Sequence, residues 1–512
     1  MKQKRLAAID IGTNSIRGIV VEMDRMGTFR VLDDEKVTVR LGEGIAHDNA
    51  ISPAAWLRAM DALARMKKVA DGYGVVGVEA VATSAVRRAS NGEAFVKAVA
   101  DTVGMSIRVI SGEEEAELAT LSTFRNFDMT GTRYTIVDIG GGSVEVISAL
   151  GNHIEELYSL ELGAVVMTEN YIGTDPVRKG DHLKLRRHIR KVLKAECLDG
   201  VQPVQCVIGS GGTMTSIAAM VMAMRQEEYG SCHGYEVRRF EVVHLLAMLM
   251  RKDLKGRRAI PGLNPDRADI IVAGVTVVDE IMEFFGANLL KINERGLREG
   301  LILSALRKYK LLPEEKKPRT WRESVLEFAR SCHFDEEHSL QVAKLSLELF
   351  DAVADHFCLA ERWRQLLEAA ALLHDIGYLI NYSGHHKHSY HLIRHADLFG
   401  FTPREREIVA NVARYHRKSL PKKSHESFVR LSPQDKIVVK QLGGILRLAD
   451  GLDRRRNNVV SALDCSITPT TFLVKMTGGD DVSVELFGGK VKGDLFEAAF
   501  DRRLHLAAAP AV

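Results

Sequence analysis

Two stretches of this chain, far apart in sequence, carry one pattern. The first reads Ala8, Ile9, Asp10, Ile11, Gly12, Thr13, Asn14, Ser15 and runs on through an apolar segment to Val21; the second reads Val137, Asp138, Ile139, Gly140, Gly141, Gly142, Ser143, Val144, Glu145. Asp10 aligns with Asp138, Gly12 with Gly140 and Ser15 with Ser143. Glycines leave backbone N–H groups uncovered by any Cβ, so such a loop can crowd donors around an anion. Neither copy is a Walker loop, because no Gly-Lys-Ser/Thr follows, and neither is a dinucleotide fingerprint, because strand-like sequence rather than a helix comes next. Each loop therefore joins two antiparallel strands, and the repeat reads as a duplication.

The chain has 512 residues, too long for one core, so roughly three or four domains are expected. Strand-like sequence at Phe29–Leu41 is followed by a helix from about Pro53 to Ala70, with Ser52 as its cap and proline at its first position. The strand Val75–Ala82 ends in Thr83, Ser84, Ala85, Val86, Arg87, Arg88, hydroxyl and guanidinium groups suited to an oxyanion or to a solvated helix start. In Ser111, Gly112, Glu113, Glu114, Glu115, Ala116, the Ser111/Glu114 spacing is a capping box, which occupies Glu114 and leaves Glu115 free. One turn into the helix beside Leu118 and Ala119, Glu115 suits a base whose pKa rises in an apolar wall, or a surface acid at a helix start. Asp138 and Glu145 flank the second loop, and paired carboxylates beside a phosphate grip suit Mg²⁺ held jointly with substrate oxygens. From the residues alone, Glu145 could equally be a polar residue on a half-exposed strand. A third glycine turn, Gly209-Ser210-Gly211-Gly212-Thr213, enters a helix at about Met214–Met224, a place that accepts phosphate. Arg178–Lys194 reads as a basic helix, a solvated face or a hold for a polyanionic chain beyond the cleft.

These motifs in this order, with Gly-Leu-Arg-Glu-Gly at Gly296–Gly300, resemble the exopolyphosphatase and guanosine pentaphosphate phosphohydrolase family of the actin, sugar kinase and heat-shock chaperone superfamily. The resemblance implies an α/β fold of two duplicated actin-like (ribonuclease H-like) domains, residues 1–125 and 126–312. An all-α HD-like domain (313–456) and a small α/β appendage (457–512) would follow. It implies Glu115 as the catalytic base, Asp138 and Glu145 as metal residues, and Asn14, Ser15, Arg87, Gly141, Gly142 and Ser143 as phosphate contacts. The expected activity is Mg²⁺-dependent, processive release of orthophosphate from inorganic polyphosphate, with guanosine pentaphosphate as the rival substrate. A kinase of the superfamily and a non-catalytic polyphosphate or alarmone sensor are more distant rivals. The superfamily's dimers imply a homodimer.

Pro313–Arg319 reads as a linker, and helical periodicity dominates from Trp321 to about Leu452. Within it His338, the pair His374-Asp375, and Asp450 resemble the ligand set of HD-type metal phosphohydrolases, which leaves a second metal site open. His385, His386, His388, His391, His395 and His416 thicken the cluster. Beyond it, strands are expected at Phe472–Met476 and Val482–Phe487, a helix near Leu495–Arg502, and a frayed tail at Leu506–Val512. The six cysteines form no Cys-x-x-Cys pair, so neither a disulfide framework nor a zinc ribbon is expected. A net charge of +3 argues against coating nucleic acid, and the absence of a ~20-residue apolar run argues against a membrane span. A cytoplasmic protein is expected.

Overall fold

The computed structural model describes residues 4–23, 29–197, 202–309, 320–479 and 481–509. The linker expected at Pro313–Arg319 lies outside the described residues. The chain divides into two compact units, Met1–Glu228 with Cys232–Lys317, and Tyr229–Ser231 with Pro318–Val512. No helix among the described residues is long and apolar enough to cross a membrane.

Unit 1 contains two sheets built on one strand order. In the first, β1 (Arg5–Ile11), β2 (Ser15–Met23), β3 (Phe29–Thr38), β4 (Gly77–Ala82) and β5 (Ile107–Val109) run β3-β2-β1-β4-β5. In the second, β6 (Arg133–Ile139), β7 (Val144–Leu150), β8 (His153–Leu160), β9 (Cys206–Ser210), β10 (Glu236–Arg238) and β11 (Leu289–Asn293) run β10-β11-β9-β6-β7-β8. Thus β8-β7-β6-β9-β11 repeats β3-β2-β1-β4-β5, with an antiparallel hairpin beside parallel strands in each. The central strands are apolar on both faces, as strands covered by helices on both sides must be: Ile9, Ile11, Ile136 and Val137 are buried.

Local chemistry sets the elements around them. The helix Pro53–Gly72 starts where Ser52 Oγ accepts the Ala55 N–H at 3.3 Å, and proline occupies its first turn. The helix Gly112–Asn126 starts where Ser111 Oγ accepts the Glu114 N–H at 3.1 Å. Only this half of the expected capping box forms: the Glu114 carboxylate turns to Arg108. The basic helix Lys179–Glu196 is present, but Arg186 and Arg190 are both drawn onto the buried Glu280. Two of its arginines are therefore spent on packing against the helix Ile271–Phe284 and are not free to hold a polyanion.

Unit 2 is helical from Trp321 to Leu452 and closes with a three-stranded sheet, β12 (Val460–Ile467), β13 (Thr471–Gly478) and β14 (Arg503–Ala508), in that order. The strand expected at Phe472–Met476 lies within β13, but Val482–Phe487 is not a strand. It belongs to the helix Ser483–Lys492, because Gly488 brings that helix's backbone against the helix Pro433–Leu452: a Cβ on Gly488 would stand 2.3 Å from the Gly451 carbonyl oxygen. Close helix–helix approach overrides the β-branched pattern. Nor is Leu506–Ala508 frayed, since it pairs with β13 in parallel register.

Candidate active site

The two hairpins form matching turns. Gly12 N–H bonds the Ser15 carbonyl at 3.1 Å, and Gly140 N–H bonds the Ser143 carbonyl at 3.0 Å. What differs is the residue opposite the aspartate. Asp138 pairs in register with Glu145, whereas Asp10 pairs with Arg17. One hairpin thus carries two facing carboxylates, and its counterpart a carboxylate facing a guanidinium.

Between them lies a cavity of about 100 Å³. Asn14, Ser15, Glu115, Asp138, Gly141, Gly142, Ser143 and Glu145, all expected from sequence, line it together. Arg87 is not among the lining residues. It stands beside Glu115, with Nη1 3.5 Å from Oε2, and donates to the Ile110 carbonyl at 2.7 Å, so it meets Glu115 rather than the cavity. Gly142 admits no side chain: a Cβ there would stand 2.3 Å from Ser84 Oγ and 2.9 Å from Thr13 Oγ1. The second loop is fastened from below by the helix Ala164–Tyr171, whose Ala164 and Val165 N–H groups bond the Gly140 and Gly141 carbonyls at 3.1 and 2.9 Å.

Glu115 is held by its helix. Ser122 Oγ donates to Glu299 at 3.0 Å, and Asn293 Nδ2 reaches Thr123 Oγ1 at 3.4 Å, so a buried polar network fixes the helix against the Gly296–Lys308 helix and β11. At 6% exposure Glu115 is no surface acid. Burial, followed by the charges of Glu145, Asp10 and Asp138, pushes its carboxyl well above the usual range, against the pull of Arg87. Burial and Asp138 push Glu145 up to about 8, and burial pushes Asp10 up to about 6. The opposite wall is basic. Burial and Arg17 bring Arg267 down to about 10, and burial, Arg267 and Arg17 bring Lys36, which does not line the cavity, down to about 8. Like charges have been packed together on each side, an arrangement that asks for a cation on one and an anion on the other.

The donor set fits a hard divalent cation. Asp10 Oδ1, Glu115 Oε2 and Glu145 Oε2 are buried oxygens without a hydrogen-bond partner among the described residues. Buried carboxylate oxygens left bare are costly, and an oxygen-seeking ion such as Mg²⁺ answers them. Asp10, Arg17, Arg267 and Arg298 also line the cavity and were not singled out from sequence as site residues. The signal was present for Arg17: it holds the place in the first hairpin that Glu145 holds in the second.

Residues 19–309 match the Ppx/GppA phosphatase family, and residues 321–477 match Ppx/GppA phosphatase, domain III. A guanosine-5'-triphosphate,3'-diphosphate pyrophosphatase of Pseudoalteromonas translucida (strain TAC 125) is 27% identical over 89% of this chain and 88% of its own. Among solved structures, an exopolyphosphatase from Cytophaga hutchinsonii ATCC 33406 is 27% identical with a TM-score of 0.57, over 60% of this chain and 100% of that one. The Aquifex aeolicus Ppx/GppA family member is 27% identical with a TM-score of 0.52, over 60% and 99%. With the first match alone spanning more than half of the sequence, the chain belongs to the Ppx/GppA phosphatase family.

Proposed function

We propose that the cavity hydrolyses the terminal phosphoric anhydride bond of inorganic polyphosphate, releasing orthophosphate, with Glu115 as the base. The observation that carries this reading is Glu115 itself: a buried carboxylate whose Oε2 accepts no hydrogen bond among the described residues and has Arg87 Nη1 3.5 Å away, whose pKa is raised, and which lines a cavity walled by two glycine hairpins. A carboxylate whose proton affinity is raised takes a proton from water more effectively than an ordinary carboxylate. A water in the cavity gives its proton to Glu115 Oε2 and attacks the terminal phosphorus in line, while the bond from that phosphorus to the bridging oxygen breaks. Backbone N–H groups of the hairpins and the side chains of Asn14, Ser15 and Ser143 aim donors at the phosphoryl oxygens, and Arg17 and Arg267 supply positive charge. Asp138 and Glu145, with Asp10, would hold Mg²⁺. Such an ion supplies charge neutralisation on the phosphoryl oxygens when bound.

The reading includes the finer architecture implied by the resemblance: two duplicated actin-like domains, residues 1–125 and 126–312, then an HD-like domain and an α/β appendage, in a cytoplasmic homodimer. The repeated strand order and paired turns of unit 1 support the duplication.

A second reading, hydrolysis of guanosine pentaphosphate, is favoured by the name of the Pseudoalteromonas relative, which matches along most of the chain. A 100 Å³ cavity suits a phosphoryl group, and pockets for whole drug-sized ligands run to ~300–1,000 Å³, so a nucleoside would sit outside it. The test is orthophosphate release with Mg²⁺ from long-chain polyphosphate and from guanosine pentaphosphate, for wild type and Glu115→Gln. Faster turnover of polyphosphate, lost in the variant, supports the first reading. Preference for the nucleotide supports the second, and an active variant removes Glu115 as base. Tight binding of either ligand without phosphate release would make the protein a sensor.

A further inference from the structure

Unit 2 gathers six buried side chains from five helical segments. His338 comes from the helix Glu336–Ala354, His374 and Asp375 from the end of Glu361–Leu373, and His385 from the start of His385–His395. His416 follows Pro403–Arg414, and Asp450 sits near the end of Pro433–Leu452. All are at most 7% exposed.

The four imidazoles are oriented alike. His374 Nδ1 lies 2.7 Å from the Ala371 carbonyl, His416 Nδ1 2.6 Å from the Ala413 carbonyl, His385 Nδ1 3.0 Å from the Tyr382 carbonyl, and His338 Nδ1 2.7 Å from Asp453 Oδ2. Each Nδ1 lies against an acceptor oxygen, which leaves each Nε2 turned inward, the ring orientation in which histidine binds metal. Nε2 of His338 and of His374 has no hydrogen-bond partner among the described residues. His385 Nε2 and His416 Nε2 face each other at 3.4 Å, and each lies close to Asp375 Oδ1, at 3.2 and 3.5 Å. Three acceptors pointed at one another repel unless a cation stands between them. Arg417 Nη1, 3.2 Å from His385 Nε2, donates from the rim.

The ligand atoms fall into two sets, His338/His374/Asp450 and Asp375/His385/His416, each within 4.8 Å. Asp375 spans them: Oδ1 faces His385 and His416, while Oδ2 lies 3.6 Å from His374 Nε2. Two cationic side chains stand on the carboxylates. Lys492 Nζ is against Asp450 Oδ2, and Arg456 Nη2 is 2.5 Å from Asp375 Oδ2. The cluster opens on a cavity of about 680 Å³ lined by Tyr378, Tyr382, Arg417, Lys418, Arg454 and Arg456.

We propose that unit 2 holds a two-cation centre, with His338, His374 and Asp450 on one divalent transition ion, His385 and His416 on the other, and Asp375 bridging them, beside a basic cavity that takes a phosphate-bearing ligand. Two imidazoles and a carboxylate per ion suit Mn²⁺, Fe²⁺ or Zn²⁺ better than Ca²⁺. Lys492 and Arg456 occupy the positive places until the ions arrive and then turn to the phosphate. The inference does not depend on the cleft chemistry of unit 1.

The test uses the full chain, stripped with chelator and titrated with Mn²⁺ by equilibrium dialysis and electron paramagnetic resonance, in a Glu145→Gln background that removes a cleft carboxylate. The expected result is two Mn²⁺ per chain giving an exchange-coupled signal. Adding His374→Ala or His416→Ala should remove one ion and the coupling. Lys492→Met should leave both sets of ligands and tighten the first Mn²⁺ by at least ~10-fold, because a competing charge is gone. Inorganic phosphate should perturb the coupled signal, less so with Lys418→Ala. Equal Mn²⁺ counts in all variants, an uncoupled signal, or unchanged affinity in a folded Lys492→Met would overturn the centre. A coupled signal indifferent to phosphate would overturn the ligand.

Discussion

Replacing Glu145 by Gln should stabilise the cation-free protein, and by more as the pH rises from about 5 to 8. Burial and Asp138 hold the Glu145 carboxyl at about 8 in the fold, against an ordinary value of 4.5. Between those values the folded chain keeps a proton that the unfolded chain has released, so stability falls as the pH climbs through this window. At ~1.4 kcal/mol per unit, the penalty at pH 8 is on the order of 4 kcal/mol, a ceiling because Glu115 shares the proton bookkeeping. Glutamine has nearly the same shape, and its carbonyl can accept the Ser159 hydroxyl that now reaches Oε1 at 3.1 Å. It never ionises, so the penalty vanishes. Hydrogen exchange of peptides from β6 and β7, in chelator and corrected for intrinsic rates, reports the opening free energy of this hairpin. Wild type should lose protection from pH 5 to 8 and regain it with Mg²⁺; the variant should stay flat and respond weakly to Mg²⁺. Parallel pH curves for the two proteins, or a variant less protected at pH 8, would refute the argument that Glu145 is a buried carboxylate awaiting a cation.

Three further outcomes follow from the same cavity. Glu115→Gln should lower turnover of polyphosphate by ~10²–10⁴-fold while polyphosphate binding persists, measured by single-turnover phosphate release beside a binding assay. Gly142→Ala would force a Cβ to within 2.3 Å of Ser84 Oγ and should cost ~1–3 kcal/mol in thermal unfolding as well as most activity; a fully active, equally stable variant would place the loop differently. Arg267→Ala removes a guanidinium that burial and Arg17 have already brought down to about 10, so cation-free stability should hold or rise while KM for the phosphate substrate increases. An unchanged KM would take Arg267 off the substrate.

The parts of the site legible in the sequence are those encoded by backbone chemistry at short range. The spacing of Asp, Gly and Ser in each loop fixes a hairpin turn, and a hairpin fixes its own register, so the odd offset between Asp138 and Glu145 already implies that the turn brings them together. Glu115 was reachable because its helix start is marked by Ser111. The missed basic wall is a matter of long-range assembly. Arg267 reaches the cavity from the short turn Pro265–Arg267, and nothing near it in sequence says which cavity it will meet. The same limit explains Val482–Phe487, whose valines and leucine alternate like a strand but whose downstream Gly488 makes a helix contact visible only once the helix Pro433–Leu452 is in place. Arg186 and Arg190 show the same limit for charge: both pair with Glu280, a partner far away in sequence that the basic run itself does not announce.

The repeated strand order and matching turns put two unlike hairpins on one cavity, an arrangement that would suit phosphoryl transfer better than either hairpin alone. Two identical loops would give two identical sets of donors, adequate for gripping an anion but without polarity along a reaction coordinate. Exchanging one cross-strand position, Arg17 in the first hairpin for Glu145 in the second, makes one wall basic and the other acidic while leaving the turns alike. Burial and Asp138 raise the Glu145 carboxyl to about 8, while burial and Arg17 bring Arg267 down to about 10, so both walls are under electrostatic load. A cation relieves the first load and a phosphoryl group the second. Each also attracts the other, so binding of the two must be mutually favourable, with the largest relief where phosphoryl charge is greatest. A cavity of about 100 Å³ suits one phosphoryl group, so under the proposed reading this relief would fall on a terminal phosphate.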